Sequence, residues 1–283
     1  MITAFVLAFA TLQASDTTIT VSKGQRLDAE IFAGSVTVKT WSRDAVQVTG
    51  DVGRKGRLEV ESRGNTLSIE TTGKYGPAGA ADLVITVPAW MPVSVDGVYT
   101  DVTVDGCKCP VEVETVQGTV IVKGAEGVVS LQSVEGAVEV SGVTGNVSAN
   151  SVNEGVTVRD VTGNVRVEAV NGDVELRNIR SGDVDASTVN GDVTFDGEIR
   201  GGGRYAFTSH QGDVTVTVPA NASATIRVNT FNGEFESDFP VTLSGQAMRK
   251  KLTFTIGGGS ATVDLESFSG DIQLLRPGSR PGR

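Results

Sequence analysis

Asn171, Asp173, Asn190, Asp192 and Asp213 flank glycines in one recurring turn, and oxygen-bearing side chains repeated at a fixed slot could hold a ligand or a hard cation. Calcium takes about six to eight oxygens, which stacked aspartates could supply in part. Glu234 and Asp271 fill the same slot as Asp173. The slot is Thr119, Ala137 and Gly155 in earlier repeats, so the carboxylate column is broken. The Gly-Gly-x-Gly-x-Asp pattern of calcium-binding nonapeptides is missing as well. Solvated turn residues joined by Asn hydrogen-bond ladders are the preferred reading. The five residues named first are the candidate binding column, and neither a metal site nor a cofactor is expected.

Other chemistry has thinner support. His210 is the one histidine, so any Ser-His-Asp or Cys-His mechanism must use it. It fills a repeat slot otherwise held by Val116, Val134, Val152, Val170, Val189, Phe231 and Phe268, which marks it as a structural variant. No nucleophile elbow, Walker-type loop or His-Glu-x-x-His occurs. Glu139, Asp160, Glu175 and Asp185 could form an acid/base pair for glycoside cleavage, but spaced carboxylates are expected on any acidic surface. Cys107 and Cys109 share a face of an extended chain. A buried-thiol turn is preferred there to a local disulfide, and two thiols cannot complete a zinc site. No catalytic residue is assigned.

The elements that carry these residues follow from an internal repeat. Val-Asn-Gly-Asp-Val stands at Val170–Val174 and Val189–Val193, and aligned units close on Val102, Val120, Val138, Val156, Val174, Val193 and Val214. A second series runs through Val93, Val111, Val129, Val147, Val165 and Val184. Each repeat of about 18 residues thus holds two strand-plus-turn halves. Segments such as Val165-Arg-Val-Glu-Ala169 alternate apolar and polar residues, the period-two signature of a half-buried strand. Asn-Gly suits the turns because both residues tolerate positive φ. A chain that returns to the same place stacks equivalent strands in parallel about 4.8 Å apart. The expected fold is all-β, a two-sheet parallel β-solenoid with β-rich caps at both ends.

The chain has 283 residues, 39% of them hydrophobic and 20% charged, enough to build a large core. A net charge of −10 repels nucleic acid and anionic lipid. Ile2 to Leu12 is apolar but too short to span a bilayer, and with Gln13-Ala14 it reads as a secretory signal, an apolar first strand being the alternative. No Lys or Arg precedes that run, so a start upstream of Met1 is compatible with it. The expected organisation is a signal peptide at 1–14, an N-terminal cap at 15–100, regular repeats at 101–235, a C-terminal cap at 236–275 and a disordered basic tail at 276–283. The mature chain has no expected membrane span.

These residues also resemble the bacterial putative-adhesin β-strand-repeat family, a family of unknown function. The resemblance rests on Ser35-Val-Thr-Val-Lys-Thr-Trp-Ser-Arg-Asp44, Val46-Gln-Val48, Asp82-Leu-Val-Ile-Thr-Val-Pro88 and the Gly-Asp-Val repeats. It continues through Val218-Pro219, Asn232-Gly233, Ser237-Asp-Phe239, Ile256-Gly-Gly-Gly259 and Ser269-Gly-Asp271. It implies a surface-exposed envelope solenoid. The expected function is a non-enzymatic exported scaffold or binding surface whose partner is an envelope protein or a glycan, with end-to-end self-association open to it. The alternatives are a carbohydrate-active solenoid enzyme acting on a polysaccharide and a calcium-stabilised repeat.

Overall fold

The computed structural model describes residues 10–12, 17–53, 56–73, 79–241 and 251–279. Most of the expected leader, most of the polar segment Gly245 to Lys251 and the end of the expected tail lie outside them. The described residues contain 23 strands and no helix, and the chain divides into two compact units, Met1–Ser133 and Val134–Arg283. No helix among them is long and apolar enough to cross a membrane.

The first unit contains β1 (Ala10–Leu12), β2 (Thr17–Thr20), β3 (Arg26–Trp41), β4 (Ala45–Asp51), β5 (Gly56–Arg63) and β6 (Thr66–Gly73). It continues with β7 (Ala81–Pro88), β8 (Val93–Asp105), β9 (Val111–Gln117), β10 (Val120–Lys123) and most of β11 (Glu126–Glu135). Strands expected at Ser35 to Lys39, Ala45 to Thr49, Arg57 to Glu61, Thr66 to Glu70 and Leu83 to Val87 all lie within observed ones. Parallel pairing joins β8 to β9 and β10, with Val93 opposite Val111 and Val102 opposite Val120. On its other side β8 pairs with β3, and β3 pairs with β6 and β7. Antiparallel strands then cover the outer strands, β4 on β7 and β5 on β6, so that the parallel edge is closed off.

The second unit contains β12 (Val138–Ser141), β13 (Thr144–Ser151), β14 (Val156–Thr162), β15 (Val165–Ala169), β16 (Val174–Asn190) and β17 (Val193–Gln211). After these come β18 (Val214–Thr217), β19 (Ala224–Asn232), β20 (Phe235–Ser237), β21 (Lys251–Ile256), β22 (Ala261–Ser269) and β23 (Ile272–Leu275). Val138, Val156, Val174, Val193 and Val214 are opposite one another in turn along the parallel ladder. All five are fully buried, as are their counterparts Val102 and Val120 in the first unit. β-Branched side chains suit this pleated, one-sided burial, and each hidden valine contributes about 1.5–3 kcal/mol. Where the step from Val193 lengthens, aromatic residues fill the interior. Phe195 and Phe207 lie 4.8 Å apart, and Phe207 is opposite the small Ala186.

Strand order departs from chain order at the C-terminal end. Val214 is followed on the ladder by Ile272, and Phe235 lies beyond it. β22 and β23 slot between β17–β18 and β19–β20, which accounts for the break in the repeat after Phe235. β21 then runs antiparallel along β19, covering an edge that could otherwise recruit another strand. The first residues of the expected tail are placed: the Arg276 N–H donates to Asp238 Oδ2 at 2.9 Å, and its guanidinium lies 4.8 Å from the Phe239 ring centre.

Two expectations are corrected. Cys107 and Cys109 are buried, as the preferred reading has it, but they are joined as a disulfide. The Asn-Gly turns do not use positive φ at asparagine: among the described non-glycine residues only Asp160 and Asn178 have it. Positive φ falls on the glycines, +158° at Gly191 and +151° at Gly212, and close approach requires glycine there as well. A Cβ on Gly191 would sit 2.3 Å from the Gly172 carbonyl oxygen, and one on Gly212 would sit 2.0 Å from that of Gly191.

Candidate functional site

Parallel stacking turns each slot of the repeat into a column, and three columns meet at the turn. The first is the aspartate column. Asp173 Oδ1 accepts the Asp192 backbone N–H, Asp192 Oδ1 accepts that of Asp213, and Asp213 Oδ1 accepts that of Asp271, at 2.8, 2.8 and 2.7 Å. Asp271 Oδ1 accepts the Glu234 N–H at 2.8 Å, and in the first unit Asp101 Oδ1 accepts the Thr119 N–H at 2.8 Å. One oxygen of each carboxylate thus satisfies a backbone donor of the next rung, a charge-assisted bond of about 1.5–3 kcal/mol. This use explains Gly-Asp without a cation, and the described residues contain no cluster of three or more acidic, His or Cys side chains suited to a metal.

The second column is the asparagine ladder. The Asn171 amide donates to Asn153 Oδ1 at 3.2 Å and the Asn190 amide donates to Asn171 Oδ1 at 2.8 Å. All five residues of the candidate column therefore fall on one turn edge of the second unit, as two adjacent rows.

The third column was not anticipated. Ser151, Thr188, Ser209 and Ser267 are buried and donate to the carbonyls of Gly136, Gly172, Gly191 and Gly212 at 2.8–3.1 Å. Thr115 and Ser133 do the same in the first unit toward Thr100 and Gly118. The signal was present in the sequence: a Ser or Thr precedes most slots that open the turn, where alternation requires a buried residue. These hydroxyls satisfy carbonyls that the tight glycine turn would leave unpaired.

Three of the four carboxylates considered for glycoside cleavage are engaged by neighbouring side chains. Glu175 is held by Arg159 at 3.2 Å and by Arg177, Asp185 by Arg166 at 3.6 Å, and Asp160 by the Asn178 amide. Glu139 shares a row with Glu175 but Thr157 stands between them. His210 is exposed and stacks on Phe268 with ring centres 4.8 Å apart. Met91 is fully buried and the Trp90 indole donates to Asp44 at 2.9 Å, so that loop packs against the first unit.

A different acidic surface lies on the first unit. Glu70, Glu30, Asp96 and Glu114 are consecutive across β6, β3, β8 and β9, one row of four carboxylates. Partial desolvation holds the Asp96 carboxyl above its ordinary value, helped by the fields of Asp28, Glu114, Glu30 and Glu112. Tyr205, buried in the second unit, is also raised, chiefly by burial.

No curated protein matches the chain. Among solved structures it is similar to one described as a putative adhesin from Bacteroides fragilis, at 13% identity and a TM-score of 0.39 over 95% of this chain and 97% of that one. One described as a putative adhesin from Parabacteroides distasonis matches at 11% and 0.39 over 93% and 97%. A third, described as a putative cell adhesion protein from Clostridium sporogenes, matches at 11% and 0.28 over 93% and 100%. In sequence, the family model described as Toastrack DUF4097 matches residues 25–275, nearly every strand set out above, and the chain belongs to that family.

Proposed function

We propose that the protein is a non-enzymatic, exported β-solenoid that serves as a rigid, adhesin-like scaffold and binding surface in the bacterial cell envelope. The observation that carries this reading is the register itself. Equivalent residues of successive repeats stack in line within each unit, so the outer surface is a set of straight, closely spaced rows. Such rows suit an extended or repetitive partner better than a small substrate. A coil of about 18 residues with two facing sheets accounts for the paired valine series. The organisation that goes with it is a leader at 1–14, caps at 15–100 and 236–275, repeats at 101–235 and a tail from 276. Asn171, Asp173, Asn190, Asp192 and Asp213 form a polar edge of the binding surface, and the partner is an envelope protein or a glycan. The buried Cys107–Cys109 disulfide supports an oxidising compartment outside the cytoplasm.

Cell fractionation combined with a glycan-cleavage screen tests the proposal. The expected result is oxidised protein in the envelope fraction and no turnover of any polysaccharide. Turnover that disappears on Glu139→Gln or Glu175→Gln would replace the scaffold with an enzyme.

A further inference from the structure

The slot that opens each repeat faces solvent in the second unit. Following the ladder, it is occupied by Val152, Val170, Val189, His210, Phe268 and Phe231. The valines and phenylalanines are 36–52% exposed, and His210 is exposed as well. The three rings stack with centres 4.8 and 4.9 Å apart. Beside this lane runs a second one made of Asn153, Asn171, Asn190, Gln211, Ser269 and Asn232. Over these six rungs neither lane contains Asp, Glu, Lys or Arg, while Val134 and Glu135 hold the two slots on the rung before and the row of Asp173, Asp192, Asp213 and Asp271 runs beside the second lane. At the spacing of parallel strands the double strip is about 24 Å long.

We infer that this strip binds a neutral, extended β-linked glycan lying along the column. The inference rests on the scaffold reading and names its partner. Such a chain presents apolar C–H groups on its ring faces and hydroxyl or acetamido groups at its edges. The apolar lane meets the first and the amide lane the second. Neither lane holds a basic residue to meet an anionic ligand, and the aspartate row beside the amide lane repels one, which favours a neutral chain over an acidic one. A second copy of this chain fits less well. Pairing the strips of two copies would bring their flanking aspartate rows together, like charge against like. A membrane surface fits less well too, because no Lys or Arg flanks the strip to meet anionic headgroups. Stacking covers ring faces in the aromatic stretch, so ring edges and valine methyls make the contact. Each rung then contributes weakly, and affinity must accumulate with ligand length.

The test uses the full chain in native affinity gels containing hydroxyethyl cellulose or glycol chitin as neutral probes and polygalacturonate as the charged control. Calorimetry with the matching trimers and hexamers follows. A neutral gel should retard the protein, and the dissociation constant should fall at least tenfold from trimer to hexamer. The double substitution Val170→Thr with Val189→Thr, which keeps β-branched shape, should weaken hexamer binding at least tenfold while the melting temperature stays within about 2 °C. Phe268→Ala is the second variant and should weaken binding likewise. No retardation by either neutral probe, equal retardation by polygalacturonate, or unchanged binding in both variants would overturn the inference. So would concentration-dependent dimerisation that the double variant abolishes. Loss of glycan binding in an envelope-located, inert protein removes only this inference, whereas cleavage of the hexamer during titration removes the scaffold reading beneath it.

Discussion

Replacing Gly212 with alanine should destabilise the second unit severely, and the size of the effect can be worked from contacts. The new Cβ would lie 2.0 Å from the Gly191 carbonyl oxygen and 2.5 Å from its carbon, both backbone atoms, where real Cβ contacts do not fall under 3.0 Å. The two rungs must therefore part by about 1 Å. The Gly191 N–H to Gln211 carbonyl bond at 3.0 Å and the Asp213 N–H to Asp192 Oδ1 bond at 2.8 Å both span that gap. Stretching them past hydrogen-bonding distance costs about 1 kcal/mol for the neutral bond and about 1.5–3 kcal/mol for the charge-assisted one. Overpacking adds about 1–3 kcal/mol, so a total of roughly 3.5–7 kcal/mol is expected. For a domain of this size that is about 10–20 °C in melting temperature. Gly182→Ala is the control, since nothing lies within 4 Å of its Cβ position and its φ is ordinary. It should be neutral or stabilising by up to about 1 kcal/mol. Circular-dichroism melts of both variants decide the matter: if Gly212→Ala melts within 2 °C of Gly182→Ala, the close-approach argument is wrong.

Three further outcomes are expected. Tyr205→Phe removes a hydroxyl that donates to the Ser181 carbonyl at 2.6 Å and accepts the Arg200 N–H at 2.8 Å, and urea unfolding should show a loss of about 1–3 kcal/mol. Asp96→Asn should raise the melting temperature at pH 7. Its carboxyl is held above 3.8 in the folded state, so the protonated form is favoured on folding. The stability this brings is fully present below pH 3.8 and lost as pH rises through the folded value. The advantage of the variant should therefore shrink as melts are taken to more acid pH and vanish below that point; a gap that widens on acidification would contradict the crowded-carboxylate row. Thiol titration in denaturant should find no free thiol before reduction and two after, and reactive thiols without reductant would show that Cys107 and Cys109 are not bonded.

Much of this could be read in one dimension. A recurring valine two residues after a glycine, within alternating strands, identifies the buried position because period-two alternation leaves one face for the core. Val102, Val120, Val138, Val156, Val174, Val193 and Val214 are all buried accordingly. The turn edge bearing Asn171, Asp173, Asn190, Asp192 and Asp213 was also legible, since equal spacing places equal slots together. Less legible was what those side chains do. A carboxylate beside glycine looks the same whether it meets solvent, a cation or the backbone N–H of the next rung. Ser209 and Thr188 resemble surface residues until the carbonyl they serve is in place. Gly191 and Gly212 suggest a φ requirement, which the structure has, but the closeness of a neighbouring rung, far away in sequence, is a second demand for glycine that the sequence does not display.

Residue order alone determined that the chain is β, that it repeats, and which residues fall in line, because strand periodicity and turn chemistry are local. Tertiary structure alone decided that β22 and β23 enter the ladder ahead of β19 and β20, that Cys107 meets Cys109, and that His210 stacks with Phe268 and Phe231 on an uncharged strip. These outcomes depend on which strand edge is open when a distant segment arrives, and side-chain patterns do not encode pairing order. Any strand with the same alternation can occupy the same rung, and the three-dimensional packing selects among them.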